Sequence, residues 1–150
     1  TGPGLFEALA ETGFAYDAST VSSGPAAPAA DPLVRFSLPM IPEGPKARPV
    51  IAMDYNLFVR HSGGFEREDR DGAFEERAYR AFMDAFEAEY GGDRIPLQIG
   101  FHFTLMNGGA YWNALERFAR DVCVRADVAC ITYREAMVSD TLATGSTTGG

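Results

Sequence analysis

Apolar side chains recur at three- and four-residue intervals through 72–90, at Phe74, Ala78, Phe82, Ala85 and Phe86, which is the period of one helix face. The spacing predicts a long amphipathic helix, ended by Gly91-Gly92 and opened by Asp69 or Asp71, whose carboxylate suits the positive end of the helix dipole. Tyr111, Leu115, Phe118 and Val122 repeat the pattern behind Asn107, a residue able to cap the start. A short helix is predicted over 5–12, stopped by Gly13, and a last one from Thr132-Tyr133-Arg134-Glu135, which has capping-box spacing. Strands are marked by alternation or by continuous apolar runs: 14–19, the alternating 33–38, the fully apolar 50–53, then 95–102 and 128–131. Residues 20–31 are mostly Ser, Gly, Pro and Ala and read as a mobile loop, since they have little to bury. The small, polar tail 141–150 reads as disordered.

Strands alternating with helices build a parallel sheet, because parallel neighbours need a crossover connection of about a dozen residues or more. The predicted fold class is α/β, in one domain over 1–140. An open parallel sheet leaves unpaired backbone at both edges, which points to closure into a barrel or to continuation in sequence beyond these 150 residues. A first residue that is Thr and not Met fits a processed chain or part of a longer one. At this length folding buries roughly 70% of the unfolded surface, and 46% apolar with 23% charged residues argues against disorder of the whole. Thirteen basic against 21 acidic residues give a formal charge of -8, so nucleic acid and anionic lipid are not expected partners. No apolar run reaches the about 18 residues of a membrane span.

In parallel βα folds reactive side chains stand at the carboxyl ends of strands, where the loops open. Asp54 closes the run 50–53 and His102 closes 95–101. If those strands are close, a carboxylate and an imidazole share one cleft, the imidazole being poised for proton transfer near neutral pH. An Asx turn at Asp54 and a half-buried His102 bonded to a carbonyl satisfy the same pattern. His61, in the loop predicted over 56–64, reads as a contact to sugar hydroxyls or as a solvated loop residue. Tyr55, Phe58, Phe65, Phe103 and Trp112 offer rings to stack on sugars or to fill a core. Gly91-Gly92 and Gly108-Gly109 lack a phosphate-loop pattern. The two histidines have no metal-ligand spacing, and Ser19, Ser22, Ser23 and Ser62 stand in no nucleophile elbow. Cys123 and Cys130 either bridge, closing a loop of about eight residues worth roughly 2.5 kcal/mol and placing the protein outside the cytoplasm, or are two buried thiols.

The order of segments carries a resemblance. The helix over 5–12, Gly13-Phe14, Tyr16-Asp17-Ala18-Ser19, then Ile99-Gly100-Phe101-His102, Tyr111-Trp112-Asn113-Ala114-Leu115 and Ile131-Thr132-Tyr133 resemble the carboxyl-terminal part of the polysaccharide deacetylases, the NodB-homology carbohydrate esterases of family 4. The resemblance covers about 5–137. It implies the later part of a distorted (β/α)7 barrel, and a metal-dependent hydrolase that removes acetyl groups from N-acetylated polysaccharide. His102 then matches the final histidine, the general acid toward the leaving amine. Asp54 falls near an aspartate that orients a catalytic arginine, although Met53-Asp54-Tyr55-Asn56 lacks the usual D-x-x-D-W wording, and Gly100 stands where the last motif has Leu. On their own chemistry, ring faces and a hydroxyl-bonding imidazole, Tyr55, His61 and Trp112 are the candidate substrate contacts. The T-F-D-D-G, H-x-x-x-H and R-x-P segments are absent and would precede Thr1, so the divalent metal, zinc in most members, is expected in a complete protein and not on this chain alone. The chain then reads as part of a periplasmic or secreted enzyme, inactive by itself, acting on acetylated polysaccharide or oligosaccharide. A non-catalytic glycan-binding module of the same fold, and a cytoplasmic location, are the alternatives.

Overall fold

The computed structural model describes residue 11, residues 16–30 and residues 33–138. The helix predicted over 5–12, the start of the strand predicted at 14, and the tail 141–150 lie outside the described residues, residue 11 apart. Three strands form one mixed sheet: β1 (Asp17–Ser22), β2 (Arg35–Glu43) and β3 (Arg48–Ile51), in the order β1-β2-β3. β1 and β2 are parallel, with Thr20 opposite Ser37 and Ser22 opposite Pro39, whereas β2 and β3 form an antiparallel hairpin with Glu43 opposite Arg48. Among the described residues, the parallel pairing predicted from βα alternation is present between β1 and β2 and at the single Met53–Gly100 bridge. Thr20, Val21 and Ser22 belong to β1 and not to the loop predicted from residue 20. The chain is mixed α/β.

Four helices follow the hairpin among the described residues. They are α1 (Asp54–Ser62), α2 (Ala73–Tyr90), α3 (Ala110–Val122) and α4 (Tyr133–Val138), with a 3-10 turn over Asn107–Gly109 before α3. α1 replaces the loop predicted over 56–64; Gly63 ends it in the left-handed conformation, φ 69°, returning its N–H to the carbonyl of Val59. α2 matches its prediction. Asp69 caps it with both oxygens, accepting from the N–H groups of Phe74 and Glu75 at 2.9 and 2.8 Å, and Asp71 accepts from Ala73. Asn107 does not cap α3, whose first turn follows Gly109. The capping box before α4 is made in both directions: Glu135 N–H donates to Thr132 Oγ1 and Thr132 N–H to Glu135 Oε2.

The core lies between the hairpin and the helices. Ile41 and Val50 of the hairpin, with Ala52 beyond it, meet Leu57 of α1, Ala78, Phe82 and Ala85 of α2, and Tyr111, Ala114, Phe118 and Val122 of α3. Phe82 packs on Phe118 with ring centres 5.8 Å apart, and full burial of such a ring contributes about 2–3 kcal/mol. Two predicted strands do not form. Residues 95–102 run extended past Met53 and pair only at Gly100, whose N–H donates to the carbonyl of Ala52 while its carbonyl accepts from Asp54 N–H. Pro96 offers that segment no donor. Residues 128–131 are irregular, closed by a disulfide between Cys123 and Cys130, Cα atoms 5.6 Å apart.

Candidate functional site

The single bridge between Met53 and Gly100 sets two chain directions side by side, so the residues that follow, Asp54 and His102, meet. Asp54 opens α1 and is completely buried. Its Oδ1 accepts from Tyr55 N–H at 2.8 Å and from His102 Nδ1 at 2.7 Å, and its Oδ2 from His102 N–H at 2.9 Å. An ionised carboxylate only accepts, so Nδ1 of His102 carries the proton. Three donors, and a place in the first helical turn, offset the cost of burying this charge. The His102 side chain is 53% exposed, which leaves Nε2 toward solvent. Neutral His102 presents a lone pair there, and protonated His102 presents an N–H. A fixed, exposed imidazole on a buried carboxylate has the geometry that general acid–base chemistry requires.

Tyr55 stands beside the pair with its ring 6.4 Å from the imidazole, half exposed. Trp112 reaches it from α3, but by its donor: the indole N–H bonds the main-chain carbonyl of His102 at 3.1 Å, while the ring meets Phe101 edge to face at 5.0 Å. Phe103, Leu105 and Phe65 are exposed apolar residues in the loops that follow His102 and α1. A Cβ at position 100 would lie 3.0 Å from Cδ1 of Leu38, so a side chain there would require Leu38 to shift. Among the described residues the bonds of Asp54 go to His102 and to the Tyr55 N–H.

His61 is elsewhere, and its predicted contact with sugar is corrected by the fold. It sits in α1 with its side chain fully enclosed, so it cannot meet a ligand on the surface. Nε2 is 2.9 Å from Glu43 Oε1 and Nδ1 is 3.1 Å from the Tyr111 hydroxyl. Glu43, itself buried, also accepts from Arg77 Nε and Nη2 at 2.9 and 3.0 Å. Asn107 Nδ2 donates to the Tyr111 and Ser62 hydroxyls, and its Oδ1 accepts from Arg67 N–H. One consistent order of protons runs from Asn107 to Tyr111, on to His61, and from Nε2–H to Glu43. Burial pushes the His61 imidazole below its ordinary value of 6.5, against the opposing bond to Glu43. Burial likewise raises the Tyr111 phenol. Glu43 and Arg77 carried no signal in the sequence, which singled out neither.

Metal ligation fails on the donor set. His61 has both nitrogens engaged, Asp54 has both oxygens engaged, and only Nε2 of His102 is open. Among the described residues no group of three or more His, Cys, Asp or Glu side chains converges to hold an ion. Comparison of the chain with family models, with curated proteins and with solved structures returns no match.

Proposed function

We propose that this chain contributes the proton-transfer pair of a metal-dependent hydrolase of the polysaccharide deacetylase type, which removes acetyl groups from N-acetylated polysaccharide, the whole domain being a distorted (β/α)7 barrel. The observation that carries the reading is the Asp54–His102 pair: a buried carboxylate holding an imidazole through Nδ1, with Nε2 in the open. In the step assigned to this chain, imidazolium His102 delivers its Nε2 proton to the amine nitrogen as the amide C–N bond breaks, and the Asp54 carboxylate balances the imidazolium charge until then. The zinc of such hydrolases finds no ligand set among the described residues, and the part proposed for this chain is proton delivery. The Cys123–Cys130 bridge supports a periplasmic or secreted location.

The test is acetate release from N-acetylated chito-oligosaccharide by the protein that carries this chain, supplied with zinc. His102→Ala is expected to lower kcat by about 10²- to 10⁴-fold, the range of general acid–base catalysis. Unchanged turnover removes His102 from the reaction. A second reading, a glycan-binding module without hydrolysis, draws on the exposed rings of Tyr55, Phe65 and Phe103; saturable binding of the same oligosaccharide with no acetate released supports it.

A further inference from the structure

His102 is held at three points. Its N–H and Nδ1 are taken by Asp54, and its carbonyl by the indole of Trp112. It needs all of these, because it ends a segment paired only at Gly100 and leads into the exposed bend at 103–104. Asp54 fixes the amino side of the residue and the ring, while nothing but the indole fixes its carboxyl side among the bonds found at this carbonyl. The indole is well placed for that task. Trp112 follows Tyr111, whose ring is buried and whose hydroxyl is bonded to Asn107 and His61, so the first turn of α3 is anchored in the core. Phe101, the residue before His102, packs edge to face on the indole and sets its plane. An indole has one donor and no acceptor, and here that donor is spent on the main chain.

We propose that Trp112 is a positioning residue for His102. It locks the 102–103 peptide, which keeps Nδ1–H on Asp54 and Nε2 directed outward, and it does not act as a sugar platform. This rests on the reading of Asp54 and His102 as a proton-transfer pair. Support for rigid placement of this kind comes from the element that carries it, a core-anchored helix rather than a loop.

Trp112→Phe keeps an aromatic ring against Phe101 and removes the N–H, together with part of the indole's ring area. The chain has two histidines and one tryptophan, so NMR of the imidazole nitrogens, assigned with His102→Ala, reads the tautomer of His102 directly. The wild type is expected in the Nδ1–H form, and Trp112→Phe in a mixture of both tautomers, with kcat lowered about 3- to 10-fold, the loss of one neutral hydrogen bond, and KM changed less than about twofold. Wild-type protein gives a second reading that needs no variant: its single indole N–H is expected to exchange with solvent at least about tenfold more slowly than a free indole. An unprotected indole N–H, an unchanged tautomer in Trp112→Phe, or a raised KM at constant kcat each overturns the proposal. A shifted tautomer in a protein that releases no acetate would instead keep Trp112 as positioner of His102 and discard the deacetylase reading, whereas acetate release that survives His102→Ala would remove His102 from the reaction.

Discussion

Asp54 does two jobs that a stability measurement separates. Its carboxylate orients the imidazole, and it also ties the start of α1 to residues 100–102 through the N–H groups of Tyr55 and His102. Removing it leaves two part-buried donors without their acceptor, and an unsatisfied buried group costs about 1–3 kcal/mol. Removing the imidazole takes away a ring that is more than half exposed and leaves the carboxylate its two main-chain donors. Asp54→Ala is therefore expected to lose about 2–3 kcal/mol in urea unfolding and His102→Ala less than about 1 kcal/mol. Equal losses would mean that the carboxylate contributes nothing to the join between the two segments. Sequence spacing found both residues, since each follows an apolar run. It did not find their bond, because adjacency of 50–53 and 95–101 is a property of the sheet, and the two runs meet through a single residue pair.

At the scale of elements, the network around Glu43 joins the hairpin to α1 through His61, to α2 through Arg77 and to α3 by way of Tyr111. His61 is the titrating member whose folded value is displaced downward by burial. Above its ordinary 6.5 both folded and unfolded chains hold it neutral, and the full stability is present. As pH falls through 6.5 the unfolded chain takes up a proton that the folded chain resists, so stability declines until the folded value is passed and then levels off. Chemical unfolding of wild type between pH 7.5 and about 5 is expected to show this decline, and His61→Gln to lack it. A parallel decline in His61→Gln would assign the effect to other groups. This network also marks where the sequence was illegible. α2 and α3 bury apolar residues at regular spacing, and the period reveals them. α1 is short and buries Asp54, Leu57 and Ser62 while enclosing His61, so its inner face is mostly polar, which is why 56–64 reads as a loop. Residues 95–101 and 128–131 fail the other way: they have the apolar composition of strands, but Pro96 and a closed disulfide loop deny them a ladder.

For the molecule as a whole, the bridge holds a loop against the far end of α2. That helix has no basic residue in its own last turn, and positive charge comes from elsewhere: Arg94 Nε donates to the carbonyl of Tyr90, and Arg125 pairs with Glu87 at 2.7 Å and lies over the rings of Phe86 and Tyr90. Asp127 accepts from Tyr90 and Arg94 in the same loop. These exposed pairs contribute little individually in water, and the covalent link does the larger part. Breaking a loop of this size costs roughly 2.5 kcal/mol through the unfolded chain's regained freedom, which in a domain of this length lowers the melting temperature by about 5–10 °C. The loop lies at one end of α3 and Trp112 at the other, about 16 Å apart along the helix axis, with Phe118 and Val122 buried between them. Loss of the bridge should therefore cost stability without disturbing the proton-transfer pair. In Cys123→Ser/Cys130→Ser the melting temperature is expected to fall by that amount, at low and high salt alike, while the His102 tautomer stays that of the wild type. An unchanged melting temperature would show that the loop is held by its side-chain contacts, and a changed tautomer that α3 transmits strain from its disulfide end to the site.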